Sequence, residues 1–228
     1  MKPEIRLNEP PEAYHATRAI SKSGMDKLRQ APAKFKAWMD GVTEEETEAF
    51  LFGSVFHCLA LEPGEFGKRY AVKQFNGSTK AGKEEAATAK AAGLELVPAK
   101  IHTAASAMAE SVLIHPLIGK LMTAKDKRTE VSIYWSETVD GLEIPCKARL
   151  DMLATVPGFV LVAVEKTAPH LVTAANVSEA AQQVGLEEIK DALGTYASCT
   201  KSGLWPGYVS EIIDLDLPEW AYKRRFAA

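Results

Sequence analysis

Three polar residues stand out because their neighbours are apolar. His57 lies inside Phe50-Leu51-Phe52-Gly53-Ser54-Val55-Phe56-His57-Cys58-Leu59-Ala60-Leu61, Asp151 ends the stretch that begins at Ile144, and Glu130 opens Glu130-Val131-Ser132-Ile133-Tyr134-Trp135. A histidine on an apolar helix is more often a satisfied core group than a ligand, and an acid at a strand end commonly serves a turn or is simply solvated. Acids of this kind are what chemistry on a hard divalent cation would need, since such an ion takes oxygen ligands and lowers the pKa of an attacking water. Two further places set an acid beside a lysine: Val164-Glu165-Lys166 and Glu188-Ile189-Lys190. On a strand, residues two apart share a face, so the partner of Lys166 is Val164 and Glu165 points away from both. Glu188 and Lys190 fall in an amphipathic helix, where positions two apart do not face each other. His15, His102, His115 and His170 lack partners at ligand spacing, and exposed or capping roles are their default.

Other chemistries find no support. There is no Gly-rich phosphate loop, no nucleotide fingerprint and no Ser-His-Asp arrangement, so ATP dependence is not indicated. Cys58, Cys146 and Cys199 are far apart with no CxxC pair, which points to buried free thiols in a reducing cytoplasm rather than zinc or disulfides. The 46% hydrophobic and 25% charged fractions are those of an ordinary folded protein. A formal net charge of -3 does not advertise nucleic-acid binding, which would have to rest on a local basic groove. Met1 to Pro11 is charged and proline-rich, and no apolar run approaches bilayer length, so a membrane partner is not expected.

The elements that would position these groups follow from periodicity and punctuation. A flexible start, 1–13, precedes one domain over 14–228. Ser21 caps a short helix through Met25 and Leu28, and a second holds Phe35 and Trp38. The acidic run Glu44-Glu45-Glu46 precedes the His57 helix, which ends at Pro63. A polar stretch from Phe66 to Val97 carries a solvated alanine-rich helix, Lys83 to Ala92; Pro98 opens another through Ile101, Ala105, Met108 and Val112, and a short one follows from Leu117 to Met122. Glu130 to Trp135 and Ile144 to Asp151 form a hairpin about Asp140-Gly141. After a break at Val156-Pro157-Gly158, the unbroken apolar run Phe159 to Val164 reads as a buried central strand, and Leu171 to Ala175 as a further one. A long helix runs from Ser178 to about Gly203, before an aromatic tail.

Several of these segments, in this order, resemble the PD-(D/E)XK domain of RecE-type phage and prophage exodeoxyribonucleases. They are Tyr14-His15 with Ile20-Ser21-Lys22-Ser23, then Phe52 to His57 with Leu61-Glu62-Pro63, His115-Pro116-Leu117, Glu130 to Trp135, Cys146-Lys147-Ala148-Arg149-Leu150-Asp151 and Trp205-Pro206-Gly207-Tyr208. The resemblance implies an α/β fold, a mixed sheet flanked by helices. It implies metal ligands at His57 and Asp151 and an acidic site position at Glu130, with Mg²⁺ as the ion. It further implies ATP-independent phosphodiester hydrolysis at double-stranded DNA ends, a single-strand annealing partner of RecT type and a ring-like homo-oligomer.

In that family the next strand carries an acid, one spacer and a lysine. Here the nearest approach, Glu165 and Lys166, does not keep that spacing. Phe159 to Lys166 instead resembles a later family strand, so a strand-helix segment is absent between Asp151 and Phe159, where a strand, crossover helix and return strand need about 30 residues or more. Leu150 also replaces the family's proline before the aspartate. Two functions follow: a metal-dependent DNA exonuclease, or a deletion derivative without catalysis that acts at most as a DNA- or protein-binding module. A purely structural scaffold is the bland third.

Overall fold

The computed structural model describes residues 3–42, 47–154, 158–209, 211, 212, 214, 216 and 218–220. The acidic run Glu44-Glu45-Glu46 and the Val156-Pro157 part of the expected break lie outside the described residues.

β1 (Glu4–Arg6) and α1 (Pro11–Ala16) lead into α2 (Lys22–Gln30), where the Ser21 hydroxyl accepts from the Gly24 N–H at 3.4 Å and so satisfies a first-turn donor. Pro32 opens α3 (Pro32–Met39). α4 (Glu48–Leu61) begins at Thr47, whose hydroxyl accepts from the Phe50 N–H at 3.2 Å, and stops ahead of Pro63. α5 (Phe66–Arg69), β2 (Tyr70–Lys73), α6 (Lys80–Ala91) and β3 (Glu95–Pro98) come next, then α7 (Ala99–Ile114) and α8 (Ile118–Met122). The hairpin strands β4 (Arg128–Val139) and β5 (Leu142–Leu153) are followed by β6 (Val160–Val164), β7 (Val172–Asn176) and α9 (Glu179–Ser202). Ser178 caps α9, and Gly203, at φ 72°, closes it in the left-handed conformation that glycine adopts at least cost.

Where the sequence led us to expect one mixed sheet, the described residues form three small ones: β1-β4-β5, the parallel pair β2-β3, and the hairpin β6-β7. β4 and β5 pair antiparallel from Arg128↔Leu153 to Val139↔Leu142, with Asp140 and Gly141 at φ 50° and 77° in the turn. Both positive values match the twist of the flanking strands, which is why aspartate-glycine is found there. The N-terminal stretch expected as a flexible start instead supplies β1, antiparallel to β4 through Ile5↔Ile133. The β2-β3 pair went unforeseen because its four-residue strands sit in a polar stretch. Gly82 is required at the start of α6, since a Cβ there would lie 2.0 Å from the Asn76 carbonyl oxygen.

β6 is the clear departure. The apolar run Phe159 to Val164 was expected to be a buried central strand, but it pairs with β7 alone, and Phe159, Leu161 and Val162 are 50%, 56% and 42% exposed. Only Val164, with Val172 and Ala174 of β7, packs against the cluster of Ala60, Val112 and Met122 on α4, α7 and α8. An apolar strand is buried on both faces only when layers cover both, and here one end of one face is covered.

The firmest core lies toward the turn end of the long hairpin. Leu28, Phe35, Ile144, Cys146 and Leu193 are at most 1% exposed and meet from α2, α3, β5 and α9. Phe35 stacks on Trp205 at 5.9 Å and meets Tyr196 edge-on at 5.6 Å, so the segment after α9 folds back over α3. Phe35→Ala is expected to cost about 3–5 kcal/mol, the usual range for emptying a packed phenylalanine site. A urea-unfolding loss below about 1 kcal/mol would show that this cluster does not carry the domain.

A buried polar network ties β1 and α1 to β4 and β5. Glu9, 9% exposed, accepts from Tyr134 Oη at 2.8 Å and from Arg6 Nη1 at 2.9 Å. Burial opposes its charge, but the hydrogen bonds from Tyr134 and Arg6 help to outweigh it and hold the carboxyl below the ordinary glutamate range. A depressed folded-state pKa gives stability that is present above the unfolded value and lost as pH falls through the folded one. Acid unfolding of the wild type should therefore steepen below about pH 4.5, and Glu9→Gln should flatten that limb while lowering stability at neutral pH. Parallel acid limbs for the two proteins would remove Glu9 from the account.

Candidate metal centre

Three elements bring the sequence candidates together. α4 buries Val55, Cys58 and Ala60 and turns His57 outward, its side chain 46% exposed. The hairpin register, with Thr129↔Met152 and Val131↔Leu150, sets Glu130 across from Asp151. His57 Nδ1 lies 3.8 Å from Asp151 Oδ1, and one ligand atom from each of His57, Glu130 and Asp151 falls within 4.8 Å of the others. Donors about 2.1 Å from one shared cation stand about 3–4 Å apart, so the trio closes on an ion with small side-chain rotations. Two carboxylates and an imidazole suit Mg²⁺ or Mn²⁺, the imidazole favouring Mn²⁺. The site opens into a cleft of about 400 Å³ lined by Phe56, His57, Arg149, Asp151, Phe159 and Val164, among others.

Glu130 is unusual in its backbone. Its φ of 52° puts it in the left-handed region within a strand, and it stands out of the pairing on either side. A non-glycine residue held there stores of order 1–3 kcal/mol and persists only where its surroundings hold it. Arg149 supplies such a hold, its Nε donating to Glu130 Oε2 at 2.6 Å. The guanidinium is anchored in turn by Nη2 on the Glu9 carbonyl at 3.0 Å and by the Tyr14 ring, 5.5 Å away. Lys147, two residues earlier on the same face of β5, is 5% exposed and donates to the carbonyls of Tyr14 and Thr17 at 2.6 and 2.8 Å. Sequence reasoning missed Arg149, Lys147 and Glu9. The signal was there: Lys147, Arg149 and Asp151, with Glu143 before them, alternate along one face of a strand whose other face is apolar.

On the far side of Arg149 lies a second cleft of about 640 Å³, where His15, Arg18, Lys22, Lys147 and Arg149 converge beside Trp38. Partial burial, then the charges of Lys147 and Arg149, push the His15 pKa down. This is a local basic surface on a chain of net charge -3.

Glu165 and Lys166 do not join the trio. Lys166 Nζ lies over the Phe52 ring, 5.5 Å from its centroid, and Glu165 is exposed, with its N–H donated to the Leu171 carbonyl. Val164, the residue at the acid's spacing from Lys166, lines the cleft together with residues 158–162 before it. Glu188 is taken by Arg29 in a two-pronged pair at 3.0 and 3.1 Å. The remaining histidines have local partners: His115 Nδ1 accepts from the Ile118 N–H at 3.2 Å, and His102 packs on Phe66 at 5.1 Å.

Among curated proteins none matches the chain. Residues 21–160 match the family described as a PDDEXK-like domain of unknown function (DUF3799), a span that includes His57, Glu130, Arg149 and Asp151 and ends at the first residue of β6. PDDEXK-like domains form a superfamily of nuclease type. With well over half of its length matched, the chain belongs to this PDDEXK-like family.

Proposed function

We propose that the chain is a RecE-type member of the nuclease superfamily that retains a divalent-metal site and a DNA-facing surface but has an incomplete hydrolytic apparatus. The observation that carries the metal part is the convergence of His57, Glu130 and Asp151 from three elements, with ligand atoms within 4.8 Å. A divalent cation there would lower the pKa of an attacking water and offset charge on a phosphoryl oxygen. The residues hold and orient: Asp151 and His57 from the open side of the cleft, Glu130 from the strand opposite. The basic cleft lined by His15, Arg18 and Lys22 offers phosphate contacts, the sequence-independent part of DNA binding.

The working form of such a site is an ATP-independent exonuclease on double-stranded DNA ends, acting as a ring-like oligomer beside a RecT-type annealing protein in the cytoplasm. It also needs a second-strand acid and a lysine to position the water and meet charge developing on the phosphate. Val164 favours the incomplete reading, because an aliphatic side chain faces the cleft at the acid's spacing from a lysine that lies over Phe52. The outer edge of β5 supports it too: past the bridge from Ile20 to Cys146, no strand pairs there among the described residues. That is where a missing strand-helix segment would be felt.

The full chain is expected to bind Mn²⁺ in a calorimetric titration, with affinity falling at least tenfold in His57→Ala and Asp151→Ala. Both residues are well exposed, so the variants should keep wild-type stability to within about 0.5 kcal/mol. An unchanged affinity in these variants would remove the metal site. Linear double-stranded DNA should be retarded in a gel by the wild type yet stay intact with Mg²⁺ or Mn²⁺. Digestion that disappears in Asp151→Ala would overturn the incomplete reading and restore the exonuclease.

A further inference from the structure

We infer that Arg149 is the positioning residue of the metal centre: it holds Glu130 as the third ligand and couples that ligand to the N-terminal strap. The inference rests on the metal reading of His57, Glu130 and Asp151. Arg149 and Asp151 lie on the same face of β5, and Glu130 is the diagonal neighbour of Arg149 across the hairpin, whose direct partner is Ser132. Nothing in strand geometry by itself turns the Glu130 carboxylate toward His57, since its backbone has left the extended region at φ 52°. The short Nε bond fixes one oxygen, Oε2, and leaves Oε1 free for a cation. An outer group that holds one oxygen of a ligating carboxylate orients it for the ion, and losing such a partner commonly costs about 10–100-fold in metal affinity.

The anchorage explains why arginine stands here. Nε takes Glu130, Nη2 takes the Glu9 carbonyl, and the guanidinium lies beside Tyr14, so three directions of one planar group are used. A lysine has one point charge and cannot make these contacts at fixed angles. Glu9 is locked in turn by Tyr134 and Arg6, so the order of residues 4–9 reaches the metal centre through one side chain. Nη1 is buried without a protein partner among the described residues, so the group is held by two of its nitrogens and not by a closed cage.

The test is a double-mutant cycle on the full chain, read by Mn²⁺ affinity from the electron paramagnetic resonance signal of free Mn²⁺. Arg149→Met should weaken binding about 10–100-fold, and Glu130→Gln should weaken it comparably. The double variant should be no worse than Glu130→Gln alone, because Arg149 acts through Glu130. A merely structural role would persist in the Glu130→Gln background, so additive losses overturn the inference. Unchanged or tighter binding in Arg149→Met overturns it as well, the latter showing that Arg149 competes with the cation. Arg149→Lys keeps a buried cation and carries the test if Arg149→Met does not fold; it should still lose at least tenfold, and wild-type affinity there would sink the positioning role. Wild-type protein that binds no Mn²⁺ marks failure of the metal reading itself, whereas binding that responds to His57→Ala but not to Arg149 marks failure of this inference alone.

Discussion

A one-residue slip between β4 and β5 would turn Asp151 to the other side of the sheet and carry Glu130 out of its reach, because side chains alternate faces with a period of two. The register is held at both ends of the hairpin. At one end the Asp140-Gly141 turn admits the left-handed values that a two-residue loop demands. Just beyond the turn Ile144 and Cys146 are locked into the core against Phe35 and Leu193, with Ile20 bridging to Cys146, and toward the open end Met152 packs on the cluster of Ala60, Val112 and Met122. The apolar core on one flank and the charged centre on the other are therefore two consequences of the same pairing. α4 needs only to lie against α7 and α8, through Phe56 and Ala60, for His57 to meet the end of the hairpin.

Much of this could be read from residues alone. Helices announced by a cap and a stop, such as α2 behind Ser21 and α9 between Ser178 and Gly203, begin and end where the chemistry of unsatisfied backbone groups puts them. The hairpin followed from alternation and its turn. What escaped was decided by tertiary pairing: β1, three residues long, owes its strand form to the open edge of β4, and the parallel β2-β3 pair depends on α6 packing back across a 29-residue span that reads as polar. The misplacement of β6 has a related cause. An apolar run shows that a segment can be buried, yet burial depends on a partner layer, and β6 has β7 for a neighbour and little above it.

The candidate trio was legible and its support was not. His57, Glu130 and Asp151 could be named because the segments that carry them, in their order along the chain, resemble the family's motifs. Arg149 could not, since a basic residue near a strand end has many uses and only the three-dimensional path from Glu9 through Arg149 to Glu130 distinguishes this one. Charged groups with little access to water are expensive, and they persist where every charge has a counterpart. Lys147 meets two carbonyls and the Tyr14 ring, Glu9 meets Arg6 and Tyr134, and Arg149 meets Glu130. Removing one member leaves the others uncompensated, which gives this corner of the fold its specificity.

Holding an ion and hydrolysing a phosphodiester are separable demands on this architecture. Ligation asks for donors that converge, and three elements fixed by helix packing and hairpin register meet it. Hydrolysis also asks for a cationic group beside the water and for charge stabilisation that grows toward the transition state. β6 is tied to the fold chiefly through Val164 on the α4–α7–α8 cluster, which brings an aliphatic residue to the cleft and sends Lys166 toward Phe52. The same packing that seats the hairpin β6-β7 thus lines the cleft with hydrocarbon at Val164. The candidate trio needs no further strand to hold its shape, because His57, Glu130 and Asp151 draw their positions from the hairpin register and from the packing of α4 on α7 and α8.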